Sequence, residues 1–492
     1  MSKKKTTKKN AKKTTKKSAT RIEKDSMGSM EVPIDMLYGA TTQRAVRNFP
    51  VAHRGMGWEV IHAFVNLKSA AATANEKLGK LDAKRVRLIR KACKEINSAL
   101  EDPAQRQGMM RHFPVDMYQT GSGTSTNMNV NEVISNLACQ AAGKKIGAQD
   151  PVHPNDHVNM GQSSNDTMPS AMQIAAASHI KHALLPSLKK LERSLARKAK
   201  QFDSIVKIGR THLQDATPIR LGQEFSGYEA QLTHSITRAT LAMQDLAENM
   251  PIGGTAVGTG INTHPRFSKL VCSELSRTLG LKFTEAANHF EAQATRACVV
   301  GAHGRLNTIA VSLSTIASNI RIMGCGPRCG IGELELPAIQ PGSSIMPGKI
   351  NPVIVESVMQ VSMRVAGNHV TVSIGGMGGT GSLMELNLAM PLMAVLLLES
   401  ITLLSNVADV FKSKCVDGIK PNRKAIKESV ERSLMLGTAL APIIGYNEAA
   451  HIAHECYDQG LTIREYCLQN NILPADELDK ALDVTSMTYP HQ

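Results

Sequence analysis

Four polar, glycine-rich segments interrupt an otherwise helical sequence, and they hold the residue types that could do chemistry. The first is Thr120-Gly121-Ser122-Gly123-Thr124-Ser125-Thr126-Asn127-Met128-Asn129. The second begins His153-Pro154-Asn155-Asp156-His157-Val158-Asn159 and continues to Gln162-Ser163-Ser164-Asn165-Asp166. The third is Gly209-Arg210-Thr211-His212-Leu213-Gln214-Asp215, and the fourth spans Gly342 to Pro352 with Ser343, Ser344, Lys349 and Asn351 inside it. Together they offer hydroxyls, amides, a histidine and a lysine, but no acid pair. Hydroxyls and amides fix small oxyanions through short directional bonds. Ser163-Ser164-Asn165 also reads as a helix start, because Ser and Asn cap well and a helical pattern follows. The free N–H groups and positive partial charge of such a start suit a carboxylate. Each segment taken alone is equally a surface loop; only the set points to a site.

The elements that must position these segments are helices. Of 492 residues, 42% are apolar and only 3% aromatic, so Leu, Ile, Val, Met and Ala must build the interior. That suits packed helices better than a β-sandwich. Ile180, Leu184, Leu188, Leu191 and Leu195 recur at spacings of four and three, as do Leu306, Ile309, Leu313, Ile316 and Ile320. Both are stripes close to the 3.5-residue seam of bundled helices. Further long helical patterns cover 219–249, 353–372 and 388–411, and a basic helix covers 83–100. Pro186 is expected to kink its helix. The organisation reads as a tail over 1–20, an N-terminal domain over 21–160, a central helical bundle over 161–417 and a small C-terminal helical domain over 418–492.

The net charge of +15 is concentrated: residues 1–20 hold nine lysines and no acid, which leaves about +6 for the rest. The tail has little to bury and is expected to be disordered. It is a solvated arm, or it makes nonspecific contact with nucleic acid or an anionic surface; nucleic acid enters only through this tail. It has no apolar h-region and so is not a secretory signal. Nine scattered cysteines include no CxxC pair; Cys325 and Cys329 form the only close pair. Free thiols in a reducing, cytoplasmic compartment are expected, without a metal site. The longest apolar run, Leu388 to Leu398, is broken by Pro391, so no membrane span is expected.

Taken together, the four segments resemble the fumarase/aspartase superfamily, class II fumarases in particular. The pattern Gly-Ser-Ser-x-Met-Pro-x-Lys-x-Asn-Pro stands in full at 342–352, and the resemblance spans roughly residues 22–490. It implies an all-α, three-domain fold whose central long helices assemble four chains into a twenty-helix core, each active site drawing on three chains. It implies reversible, anti hydration of fumarate to L-malate through an aci-carboxylate, with no metal or organic cofactor. By the same resemblance Ser343 is the base on C3, and Lys349 and Asn351 bind the carboxylate. His212, partnered by Glu356, handles the water. Ser122, Thr124, Ser163, Ser164, Asn165 and Thr211 complete the substrate contacts.

The departures from the pattern are as informative as the matches. A second anion site is implied at His153, Asn155 and Asp156, but Asp150 stands where some relatives have a basic residue, so a structural turn competes with it. Gly375 to Gly381 is longer than the equivalent turn in the family and reads as extra flexibility between helices. Met160-Gly161 replaces a more polar pair. The nearest alternative activity is aspartate ammonia-lyase, which shares the Gly342–Pro352 loop. Ser164, the Gly253–Gly258 segment and Ser433-Leu434-Met435-Leu436 favour water as the leaving partner, whereas Val353 leans the other way. A non-catalytic relative should have lost Ser343, Lys349 or His212, and all three are present.

Overall fold

The computed structural model describes residues 19–490, so the lysine-rich tail lies almost wholly outside the described residues. A hairpin opens the chain, β1 (Thr20–Asp25) against β2 (Gly28–Pro33), followed by α1 (Ala40–Asn48), α2 (Trp58–Lys77), α3 (Ala83–Glu101), α4 (Pro103–Met110) and α5 (Thr124–Ala141). Next come α6 (Ser164–His179), α7 (Leu185–Gln201), a second hairpin of β3 (Val206–Thr211) and β4 (Gln214–Arg220), and the 27-residue α8 (Leu221–Ala247). The long helices resume after α9 (Phe267–Leu279) and α10 (His289–Ala294), as α11 (Ala297–Met323), α12 (Val353–Gly376) and α13 (Met390–Lys414). Short helices from Arg423 onward close the chain. Apart from helices there are only two-stranded sheets among the described residues.

These elements form two compact units. The first comprises residues up to 172 with 250–294 and 383–395; the second comprises 173–249, 295–382 and 396 onward. In the first unit, α2 is buried along most of its length by Val60, Ile61, Phe64, Leu67 and an alanine run at 70–72. It packs on α3, α5 and α9. Small alanines let those helices approach closely. The start of α3 is capped by Asp82, whose carboxylate accepts from the Lys84 and Arg85 N–H groups, the arrangement that satisfies otherwise orphaned helix donors. α5 is buried along most of its length and buries Asn127, Asn129, Asn131 and Asn136 beside Val130, Val133 and Ile134. A buried amide must find partners, and these supply the internal scaffold of the site.

In the second unit both expected stripes are core: Ile180, Leu184, Leu188, Leu191 and Leu195 are shielded from solvent, as are Leu306, Ile309, Leu313, Ile316 and Ile320. α7 packs on α8, α8 on α11, and α11 on α12. The irregularity expected at Pro186 takes the form of a π-helical turn over Ile180–Leu184, from which the backbone continues helically into α7; the wider turn makes room for a proline that cannot donate to the turn before it. The C-terminal helices own a separate small core built on Leu440, Ile452, Cys456, Ile463, Cys467 and Leu478. Two readings are corrected. α13 is by length and composition apolar enough to cross a membrane, which counting uninterrupted apolar residues had hidden; 72% of that window is buried inside the fold, as in a core helix. The turn after α12 is closed rather than loose: Gly379 N–H donates to Ser382 O at 2.9 Å, and Ser382 N–H to Met377 O at 3.0 Å.

A pair of imidazoles ties α11 to α12. His303 stacks on His369 with ring centroids 5.4 Å apart and 11° between planes, and its Nε2 lies 2.9 Å from Ser400 Oγ. Burial, reinforced by the neighbouring ring of His369, lowers the His303 pKa to about 4. The folded value lies below the unfolded one, so the unfolded chain binds the extra proton first as pH falls. The contribution is complete above pH ~6.5 and is lost on going from there to about 4, by roughly 3 kcal/mol for a shift of this size. The melting temperature of the wild-type protein is therefore expected to drop more steeply between pH 6.5 and 4 than that of His303→Gln. Parallel profiles would contradict this.

Candidate active site

The hydroxyls of the first unit converge. Ser122 Oγ and Thr124 Oγ1 are 3.0 Å apart, and Thr124 Oγ1 and Ser164 Oγ are 2.7 Å apart, so two segments forty residues apart in sequence meet in one hydrogen-bonded chain. Two glycines permit the first segment's path. A Cβ on Gly121 would lie 1.9 Å from Leu388 O, and Gly123, at φ +73, would press one against Met168. The chain can therefore enter α5 only with bare backbone at both positions.

The second segment does begin a helix. Ser163 Oγ accepts from Asn165 N–H at 3.2 Å, and Asp166 Oδ1 accepts from Ser163 N–H at 2.9 Å, a reciprocal cap. Asp166 is fully buried, and its other oxygen accepts from Gly253 N–H at 3.0 Å and Thr255 N–H at 2.9 Å. Burial pushes its carboxyl up to about 6, against the pull of those three N–H donors. Asn165 Nδ2 donates to Ala256 O at 2.8 Å. The start of α6 and the Gly253–Gly258 segment are thus one assembly. Neither Asp166 nor the wholly buried Lys68, whose Nζ donates to Asn127, Asn159 and Gln162, was singled out from the sequence. A single charged residue inside an apolar helical stripe was the available signal.

His153, Asn155 and Asp156 share one π-helical turn, Pro154–Val158, in which Asn155 and Asp156 are exposed. His153 Nδ1 lies 3.2 Å from both Asp156 N and Asp156 Oδ2, and His157 Nδ1 accepts from His153 N–H at 2.8 Å. Asp150 pairs with Lys144 at 3.8 Å. The turn's histidines are engaged within the turn itself.

The second unit carries the remaining residues. The third segment, read as a loop, is a β-hairpin. Thr211 pairs with Gln214, leaving His212 and Leu213 as a two-residue turn with φ +57 and +61. Left-handed backbone at two non-glycine residues costs about 1–2 kcal/mol each. The turn holds His212 exposed at the tip. A bulge at Gly209 sets the register, and a Cβ there would lie 2.7 Å from Thr217 O. The base of the hairpin is anchored by Glu333, fully buried, which accepts from Arg210 at 2.6 Å and lies 3.2 Å from Lys207 Nζ. Lys207 also pairs with Glu224 at 3.1 Å.

The Gly342–Pro352 loop is closed on itself. Gly342 N–H donates to Lys349 O at 2.8 Å, and Asn351 Nδ2 to Gly342 O at 2.5 Å. Ser343 Oγ accepts from Ile345 N–H at 3.2 Å and Met346 N–H at 3.0 Å. Two donors on one hydroxyl oxygen favour its anionic form. Lys349 is exposed and makes no side-chain hydrogen bond or ion pair among the described residues. Glu356 sits in the first turn of α12. Neither its carboxylate nor the His212 ring has a side-chain hydrogen bond or ion pair among the described residues, so a single chain does not join that expected pair. No cluster of three or more His, Cys, Asp or Glu side chains suited to a metal occurs among the described residues.

Comparison with known proteins places this geometry. A family model described as Lyase matches residues 28–367, and one described as Fumarase C C-terminus matches residues 436–489. The chain is 47% identical to Fumarate hydratase class II 2 of Bradyrhizobium diazoefficiens, over 95% of this chain and 96% of that protein. It is 46% identical to the mitochondrial fumarate hydratase of Saccharomyces cerevisiae, over 93% of this chain and 92% of that protein. Among solved structures, recombinant class II fumarase from Schistosoma mansoni superposes with a TM-score of 0.91 at 37% identity, covering 96% of this chain and all of that one. A cobalt-bound fumarate lyase:delta crystallin from Brucella melitensis superposes at 0.90 and 39% identity, with the same coverage.

Removing the Glu333 carboxylate leaves Lys207 and Arg210 short of a buried partner, and breaking a buried pair in this way costs about 3–5 kcal/mol. Glu333→Ala is expected to speed amide exchange across 206–220 far more than in the hydrophobic stripe of α11. Equal protection in both regions would show that Glu333 does not anchor the hairpin.

Proposed function

Since the chain belongs to the class II fumarate hydratase family, we propose that it catalyses the reversible hydration of fumarate to L-malate. Water adds anti across the double bond, its hydroxyl to C2 and a proton to C3. In the reverse direction a base takes the C3 proton, the electrons pass into the adjacent carboxylate as an aci-carboxylate, and hydroxide leaves C2. The C–H bond is weakly acidic, so catalysis depends on fixed donors where negative charge grows.

Ser343 acts as the base. The observation that carries this assignment is the pair of backbone N–H donors on its Oγ, which lower the cost of an alkoxide at that atom. Lys349 and Asn351, on the same loop, meet the developing aci-carboxylate. Ser122, Thr124, Ser163, Ser164 and Asn165 hold the substrate's carboxylates through hydroxyls, amides and the N-terminus of α6. Thr211 stands beside His212, which, charged by Glu356, handles the water.

A homotetramer in which each site draws on three chains accounts for the unpartnered His212 and Glu356 within one chain. It also accounts for large apolar residues left exposed on the long helices, among them Leu241, Val311, Met363 and Val370. A reducing, cytoplasmic setting fits nine cysteines, none of which forms a disulfide among the described residues. The His153 turn, whose side chains bond to one another, is proposed as a structural turn before an anion site.

Absorbance of the unsaturated product tests the reaction directly. It is expected to rise with L-malate and stay flat with L-aspartate; release of fumarate and ammonia from aspartate with malate inert would overturn the reading. Ser343→Ala is expected to lower kcat by about 10²–10⁴-fold, and near-normal turnover would remove Ser343 from the role of base.

A further inference from the structure

Lys68 lies at the middle of α2 with its side chain fully enclosed. Its Nζ donates to Asn127 Oδ1 at 2.7 Å, Asn159 Oδ1 at 2.8 Å and Gln162 Oε1 at 3.0 Å. An ammonium has three N–H groups, and here all three end on amide oxygens. Isolated burial of a charge is costly unless such partners offset it. Burial lowers this ammonium to about 7, with Asp166 acting in the opposite direction. No step of the hydration uses this group, and its three donors are committed away from any substrate.

The three acceptors belong to the two segments that carry the hydroxyl chain. Asn127 stands one turn beyond Thr124 on α5. Asn159 and Gln162 bracket the loop that runs into Ser163 and Ser164. The bonding around them is dense: Asn159 Oδ1 also accepts from Asn127 Nδ2 and from Asn131 Nδ2, both at 3.2 Å, and Asn159 Nδ2 donates to Gln162 O at 3.1 Å. Thr167 Oγ1, one turn into α6, donates to Asn127 Oδ1 at 3.2 Å. A single buried cation therefore sits where the start of α5 and the approach to α6 are tied together, below the 2.7 Å contact of Thr124 with Ser164.

We propose that Lys68 is a positioning residue for the substrate site: by gathering Asn127, Asn159 and Gln162 on one ammonium it sets the spacing of the Thr124 and Ser164 hydroxyls. The proposal rests on the hydratase reading of those hydroxyls as substrate ligands. A merely structural lysine would support the helices without being coupled to the Thr124–Ser164 pair. A positioning lysine acts through that pair, and the two roles separate in kinetics.

Lys68→Met keeps the length of the side chain and removes all three donors. The base loop and the His212 hairpin are untouched, so the loss falls on uniform binding. KM for fumarate is expected to rise about 10-fold or more, with kcat within about 3-fold of wild type. Thr124→Val, which itself weakens binding, should add little on top of Lys68→Met, because the pair it removes is already misplaced. Gln162→Leu takes away one acceptor only and should raise KM by about 3-fold; should Lys68→Met fail to assemble, this variant decides by the same measure. Calorimetric affinity for succinate, a saturated dicarboxylate that cannot react, should weaken in parallel with KM. Wild-type KM and succinate affinity in a folded Lys68→Met, or in Gln162→Leu where the former does not fold, overturn the proposal, as does full additivity with Thr124→Val. A wild-type protein inert toward fumarate and malate sinks the hydratase reading instead, and the succinate arm then still decides whether Lys68 sets the dicarboxylate site.

Discussion

A carboxylate and an ammonium are both shut away from water in the first unit, and each is saturated by neutral dipoles. The polar architecture there follows from that constraint. Asp166 is held by three backbone N–H groups, from Ser163, Gly253 and Thr255. Lys68 is held by three amide oxygens. Buried charges tolerate little drift in their partners, because each lost bond exposes an unsatisfied group in a poorly screening interior. The two groups therefore act as rivets. One joins the start of α6 to the Gly253–Gly258 segment, and the other joins α2 to α5 and the loop before α6. The hydroxyls of Ser122, Thr124 and Ser164 stand on backbone that these two groups tie together.

The second unit holds its reactive groups by other means. His212 stands on a hairpin tip whose two turn residues are both left-handed, a local cost that persists only when the flanks over-determine it. The flanks do so through the bulge at Gly209 and the buried Glu333, which takes Arg210 and Lys207 together. Ser343 lies on a loop with few buried side chains, closed by backbone bonds and by the Asn351 amide. Glycines at its ends allow movement. A rigid hairpin and a glycine-flanked loop suit the different tasks proposed for them: the first keeps an imidazole's orientation, while the second admits substrate before it excludes water.

How far the residues announced these arrangements depends on the range of the physics involved. The leucine and isoleucine stripes of α7 and α11 were legible because period and burial are local properties of a helix. So was the start of α6, since Ser163, Ser164 and Asn165 are capping residues set directly before a helical pattern. The 206–220 hairpin was not. Its turn is His-Leu, without the Asn-Gly or Asp-Gly that normally marks two left-handed residues, and its anchor Glu333 lies more than a hundred residues away. Lys68 was invisible for a similar reason: its partners come from α5 and from residues 159–162, and helical periodicity says nothing about what a stray lysine finds at its tip. The Gly342–Pro352 loop was legible as a pattern, yet the two N–H donors on Ser343 Oγ became visible only once the loop had a conformation.

The division between neutral and cationic groups follows from the reaction. Fumarate and malate carry the same two charges, so a strongly cationic cradle would bind reactant and product alike and deepen both wells without lowering the barrier between them. The hydroxyls, amides and helix N-terminus proposed as the substrate cradle suit a dicarboxylate held with moderate force. Lys68, the cation nearest that cradle in the sequence of contacts, spends its three donors on the scaffold and none on substrate. The exposed cation, Lys349, stands instead on the loop with Ser343, the residue proposed to remove the proton and so to add a further negative charge to one carboxylate. Under the proposed assignment, charge is kept for the atom at which charge changes, and an aci-carboxylate gains from Lys349 what the ground state does not.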